Sequence, residues 1–260
     1  MSISTSASWR GRKRNIFQGR RTARLMSDPE CNICGNKTFA DVKSRVNARC
    51  TNCNSLERTR LLWLFLQDID ITDTTRILHL APERGLYDKL KAHAKPGNYV
   101  CADFEPQRYS FASEIIAIDL TDLDDQPSDQ YDIIVHAHVM EHIPCNIAYT
   151  LFHLHRMMTS GGRHVCVIPF LSGKYDESFQ DMPEKERVRR FGQHDHVRRF
   201  GVEDIHRHLG SVVKLPDEFS AMDRFGVERL RNANIPEAAW RGFSIHTVLD
   251  LRKDDFKLRN

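Results

Sequence analysis

Four cysteines carry the clearest chemistry in this chain: Cys31-Asn32-Ile33-Cys34 is followed, after a fifteen-residue gap, by Cys50-Thr51-Asn52-Cys53. Two Cys-x-x-Cys knuckles offer paired thiolates to a tetrahedral ion at about 2.3 Å, and a hairpin of this length closes one knuckle onto the other. Four protein thiolates leave no open coordination position, so the spacing predicts a structural zinc ion rather than a catalytic one. Reduced cysteines used as small buried hydrophobes, or a redox pair, are the alternative that the spacing rule disfavours. A second group with ligating and proton-transfer capacity is His194-Asp195-His196, flanked by Arg187, Arg189, Arg190, Arg198 and Arg199. Neighbouring residues seldom converge on one ion, so this run is read as a lid over a pocket, with the arginines as candidates for holding an anionic ligand.

The elements that must position these groups follow from the apolar pattern. Ser55 opens a helix running through Leu66, too apolar to be left in water. From Arg76 onward, short apolar runs alternate with helical patterns. The expected strands are 77–80, 99–102, 115–120, 133–135 and 164–168, with helices over 85–93 and 151–158 between them. Val212 to Leu215 and Phe243 to Leu251 are expected to supply a final strand pair. That series predicts an α/β fold: a Rossmann-like, mainly parallel seven-stranded sheet flanked by helices, with a small N-terminal zinc ribbon. The expected organisation is a disordered basic arm over 1–27, a zinc-binding module over 28–54 and an α/β domain over 55–260.

A hydrophobic content of 40% over 260 residues is enough for a real core, and no stretch approaches a membrane span. Cys101, Cys145 and Cys166 are scattered singly, so reduced thiols and a cytoplasmic location are expected. The net charge of +3 conceals an asymmetry. Residues 1–25 hold Arg10, Arg12, Lys13, Arg14, Arg20, Arg21 and Arg24 and no acid, so removing these seven positive charges leaves the body at −4. A mildly acidic body with a basic arm is not the footprint of a protein that grips nucleic acid across its face.

In a parallel sheet of this kind ligands sit beyond the carboxyl ends of the strands. The residues at those ends are His79 with Ala81-Pro82-Glu83-Arg84-Gly85, then Asp103-Phe104-Glu105, then Asp119-Leu120, then His136-Ala137-His138. Carboxylates at two adjacent strand ends suit a ligand with vicinal ribose hydroxyls and an adenine amine.

On these residues the chain resembles the class I S-adenosylmethionine-dependent methyltransferases, in the small-molecule branch related to quinone biosynthesis. The likeness runs from about Arg76 to Phe170 and rests on Tyr131 to Val135 followed by His138-Val139-Met140-Glu141-His142-Ile143-Pro144, and on Ser160-Gly161-Gly162-Arg163. Zinc-bearing members resemble it further in the first loop and in the Phe191 to Arg198 segment. The resemblance implies that Asp103 holds the ribose hydroxyls and that Phe104 packs on the adenine. It further implies that Asp119 and Leu120 receive the adenine edge, that His136 and Ala137 line the cofactor from below, and that His79, Ala81, Pro82, Glu83 and Gly85 form the first loop. It also implies a small-molecule methyl acceptor, with Glu141, His142, His194 or His196 as the base. The chain departs from the family in its first loop, which has only Gly85 where several glycines are usual. Two alternatives stand beside this reading: a catalytically inactive member, and a zinc-ribbon protein that binds or methylates RNA.

Overall fold

The computed structural model describes Met1 and residues 28–258; the expected basic arm lies almost wholly outside the described residues. An antiparallel hairpin, β1 (Phe39–Val42) and β2 (Arg45–Cys50), carries the second cysteine knuckle at its exit and is followed by α1 (Glu57–Gln67). The body then winds through β3 (Ile77–Leu80), α2 (Arg84–Lys91), β4 (Tyr99–Asp103), β5 (Ile115–Ala117), β6 (Tyr131–Ala137), α3 (Ile147–Met157) and β7 (Met158–Val167). An insertion follows, built from β8 (Phe170–Leu171), β9 (Asp176–Glu177), α4 (Glu184–Phe191) and β10 (Arg198–Gly201). After it come the single turn α5 (Leu209–Val212), the longer α6 (Ala221–Asn232) and the last strand β11 (Val248–Arg252).

The central sheet has the order β11-β7-β6-β3-β4-β5. Its first five strands in sequence run parallel, and β11 pairs antiparallel with β7. The expected parallel α/β sheet is present, with six strands instead of seven. The missing strand is the Val212 to Leu215 run: its apolar residues are buried, but Val212 closes the α5 turn and only Val213 bridges to Phe256. An apolar run this short fits a buried turn as well as a strand. The Ser160-Gly161-Gly162 turn falls where Tyr131 pairs with Met158 and Ile133 already pairs with Arg163, so the intervening residues of β7 loop out of register.

Two apolar layers cover the sheet. One joins α1, α6 and the hairpin, so that Cys31, Ile33 and Cys50 share a core with Leu61, Leu62, Ile77 and Trp240. The other packs α3 and the α5 region on the opposite face. The sheet interior also holds a chain of neutral imidazoles. His79 bonds the Tyr99 hydroxyl at 2.7 Å, His136 Nε2 meets His164 Nε2 at 2.9 Å, and His164 continues to His155 at 3.5 Å. Burial pushes His79 and His136 down to about 3 and His155 to about 4, so all three stay uncharged at neutral pH.

Candidate active site

A cleft of about 620 Å³ opens at the carboxyl ends of β3, β4 and β6, within the range of small-molecule sites. Ala81, Asp103, Phe104, Asp119, Leu120 and His142 all line it, so the structure brings these six predicted residues together. Two backbone positions shape its floor. Ala81 (φ 47°) and His138 (φ 57°) leave β3 and β6 in the left-handed region, which costs a side-chain-bearing residue about 1–2 kcal/mol and is concentrated at functional turns.

Asp103, the last residue of β4, accepts hydrogen bonds from the Glu105 backbone N–H (2.8 Å) and the Tyr109 hydroxyl (2.6 Å), one on each oxygen. A carboxylate has about four acceptor sites, so two remain for ligand hydroxyls. The Tyr109 bond fixes the rotamer, and burial, reinforced by that bond, pushes the Tyr109 phenol up. Asp119 accepts from the Thr121 N–H and hydroxyl, both on Oδ1, so the acceptor capacity of Oδ2 is left over. Phe104 stands at the rim with 69% of its surface exposed, the most exposed large apolar side chain of the described body apart from Val46. Glu105 and His138, at expected strand ends, and Asp195, in the expected lid, also line the cleft, as do Tyr109 and Thr121, which the sequence did not single out and whose nearness to a strand end is the signal that finds them.

The remaining expected residues lie elsewhere. His79 and His136 point into the sheet rather than the cleft, as their bonds to Tyr99 and His164 require. Pro82 and Ala137 are buried and do not line the cleft. Glu83 is taken by α1: Arg58 meets it at 2.6 Å and the Thr59 hydroxyl at 2.6 Å. Gly85 has a different neighbour from a cofactor. A Cβ there would lie 3.1 Å from both the carbonyl oxygen and Sγ of Cys53, so its missing side chain lets the cysteine module dock on the start of α2. His194 is exposed, and it is not among the residues lining the cleft.

Beneath the cleft, Glu141 and His196 approach His142. Glu141 is 1% exposed and burial pushes its carboxyl up to about 8. The His142 and His196 rings meet edge to face at 4.6 Å between centroids, and His142 Nδ1 lies 3.4 Å from Asp195 Oδ2. The insertion is locked onto this loop by Arg198, which is fully buried and donates to the carbonyls of Met140 and Cys145 and to Glu177 Oε2 at 2.9 Å. The arginines expected to hold an anion are committed elsewhere. Arg187 bonds the His196 and Gln180 carbonyls, Arg189 pairs with Glu186, Arg190 grips Asp176 through Nε and Nη2, and Arg199 donates to the Lys174 carbonyl. None of the five lines the cleft.

In the cysteine module, Cys31 and Cys53 Sγ lie 3.6 Å apart and Cys34 and Cys50 Sγ 3.5 Å apart, and all four sulfurs fall within 4.8 Å of one another. Four sulfurs at about 2.3 Å from one ion stand roughly 3.8 Å apart, so the quartet fits a tetrahedral thiolate centre. Gly35 (φ 77°) makes the first knuckle's turn, its N–H bonding the Cys31 carbonyl at 2.7 Å. Hydrogen bonding with Cys53 holds the Cys31 thiol well below its usual value. A smaller hollow of about 300 Å³, near His155 and Lys253, sits at the opposite end of the sheet, where such folds do not place their ligands.

No family model and no curated protein matches the chain. Three solved structures are similar to it at low identity. An S-adenosylmethionine-dependent methyltransferase from Mesorhizobium loti is 14% identical over 74% of this chain and 96% of its own, with a TM-score of 0.47. The YcgJ protein of Bacillus subtilis is 13% identical over 68% and 79%, at 0.41. The [4+2]-cyclase SpnF is 11% identical over 74% and 79%, at 0.43. No helix among the described residues is long and apolar enough to cross a membrane.

Proposed function

We propose that this protein is an S-adenosylmethionine-dependent methyltransferase acting on a small molecule, with a structural zinc ion in the cysteine quartet. The observation that carries the reading is the pair of carboxylates, Asp103 and Asp119, at adjacent strand ends of one cleft, each with acceptor capacity left over. Asp103 would hold the ribose hydroxyls in the orientation that Tyr109 imposes. Phe104 would cover the adenine, whose amine would meet Asp119. Ala81 would let the backbone approach the methionine part. When bound, the cofactor supplies an electrophilic methyl on a sulfonium, so the protein's contribution is orientation and proton removal. His142, paired with Asp195 and bordering the cleft, is placed to accept a proton from an acceptor hydroxyl or amine.

With the arginines of the insertion engaged in their own pairs, an uncharged acceptor suits the cleft better than an anionic one. Calorimetric titration of the zinc-loaded protein with S-adenosylmethionine, and with its demethylated product, tests the reading. Micromolar binding of both is expected; binding of neither contradicts it and turns the assignment to an inactive member of the fold.

A further inference from the structure

Three side chains below the cleft are arranged in a way that proton transfer does not require. One donor atom each from Glu141, His142 and His196 lies within 4.8 Å of the others. Donors about 2.1 Å from a common ion stand at most about 4.2 Å apart, so a small rotamer adjustment brings the trio to coordination distance. The hydrogen bonds around them leave their lone pairs turned inward. The Nδ1–H of His196 donates to the Phe191 carbonyl at 3.0 Å, which makes Nε2 the lone-pair nitrogen, and Nε2 is buried with no hydrogen-bond partner. A second ring nitrogen tied to a backbone carbonyl is the usual way a metal-binding histidine is oriented. Both carboxylate oxygens of Glu141 are likewise buried without a hydrogen-bond partner.

His138 sharpens the point. Its Nε2–H donates to the Ile245 carbonyl at 2.9 Å, so its Nδ1 lone pair faces Glu141 Oε1 across 3.3 Å. Two acceptors face each other there, and unpaired buried polar groups are costly. Either a proton or a cation must stand among them.

We propose that Glu141, His142 and His196 bind a divalent transition-metal ion of the zinc, cobalt, iron(II) or manganese class, with His138 beside the carboxylate. Two imidazoles and a carboxylate suit these borderline ions and leave coordination positions open. The ion enters from the cleft past His142, which is one-third exposed. The segment that brings His196 to Glu141 is fixed by the Val197 N–H bonding the Glu141 carbonyl at 2.9 Å and by buried Arg198, so the site is built by the fold and not by a flexible loop. The site's chemical use rests on the methyltransferase reading: with an ion bound the His142 lone pair is spent on it, and an open coordination position beside the cleft would hold and acidify an acceptor hydroxyl in place of the free imidazole base. Its existence does not rest on that reading.

The test is titration of the chain carrying one equivalent of zinc, enough for the cysteine quartet alone, with cobalt(II) chloride, followed by visible absorption and calorimetry. Thiolate-to-cobalt charge-transfer bands report exchange into the cysteine quartet; their absence with weaker cobalt bands reports a nitrogen and oxygen site. One equivalent is expected to bind without thiolate bands, at least tenfold more weakly in Glu141→Gln and in His196→Gln, with melting temperatures measured on both. Glu141→Gln conserves volume and carries the test should His196→Gln fail to fold. No uptake, uptake with thiolate bands alone, or equal affinity in a folded Glu141→Gln overturns the site and leaves a proton between Glu141 and His138. Cobalt uptake without S-adenosylmethionine binding keeps the metal site and removes the cofactor reading; the converse removes the metal site alone.

Discussion

Arg60 and Glu141 are both ionisable and both sealed from solvent, at 0% and 1% exposure, but they differ in what surrounds them. Arg60 lies between the cysteine module and the end of α6, and each of its three side-chain nitrogens is hydrogen-bonded. It donates to the carbonyls of Ala48 (3.1 Å), Ser55 (2.8 Å), Ala233 (2.9 Å) and Asn234 (2.8 Å), and its guanidinium lies over the Phe39 ring. Glu141 lies below the cleft with neither oxygen hydrogen-bonded. A buried ionisable group whose nitrogens are hydrogen-bonded braces a fold, whereas one left without partners is a reserve for a ligand or a proton. The two ends of the molecule are therefore built to opposite purposes: the Arg58, Thr59 and Arg60 face of α1 ties the module to the sheet, and the β6 exit keeps polar groups unspent.

The largest way to break this comparison is Arg60→Ala. It strands four carbonyls at once and should cost about 3–5 kcal/mol in urea denaturation. A loss below about 1 kcal/mol would mean that the brace is ornamental. Asp103→Ala should weaken S-adenosylmethionine binding by about 1–3 kcal/mol, read by calorimetry, while leaving the melting temperature near that of the parent. An unchanged dissociation constant would move the ligand away from β4.

Acid sensitivity distinguishes buried neutral groups from buried charged ones. Burial, helped by nearby His136, holds folded His79 at about 3, while the unfolded chain titrates near 6.5. The unfolded state takes up its proton first, so this contribution to stability is whole above pH 6.5 and is lost as pH falls towards 3. At pH 5 the loss is about 2 kcal/mol, and His79→Gln should remove that much of the difference between urea melts at pH 7 and pH 5. Equal pH differences in the two proteins would show that His79 is not the acid-sensitive group. The smallest effect is expected at Glu141. Glu141→Gln should leave the stability of the metal-free chain unchanged or slightly raised, within about 1 kcal/mol, because no hydrogen bond is lost. A drop comparable to that of Arg60→Ala would erase the contrast.

Much of the scaffold was legible because it depends on local pattern. The apolar runs at Ile77, Tyr99, Ile133 and His164 mark the parallel strands, and the acid following each of two strands marks the cleft wall. The Val212 to Leu215 run failed as a strand because burial alone does not choose between a strand and a buried turn. Gly85 and Glu83 illustrate a different limit. Their types suit a loop that approaches a cofactor, yet Cys53 and Arg58 claim them, and those partners come from a module whose docking site no periodicity reveals. The arginines of the insertion are similar: Arg190 with Asp176 and Arg198 with Glu177 pair through tertiary packing. The meeting of Glu141 with His196 was out of reach for the same reason, since it depends on β10 folding back onto the β6 exit.

Hydrogen–deuterium exchange with and without the demethylated cofactor product tests most directly which end of this molecule is the ligand end. The account predicts added protection over residues 102–109 and 118–121, at the ends of β4 and β5, with none over the Arg60 brace. Protection confined to the brace or to the hollow near His155, or no protection anywhere at saturating ligand, would contradict it.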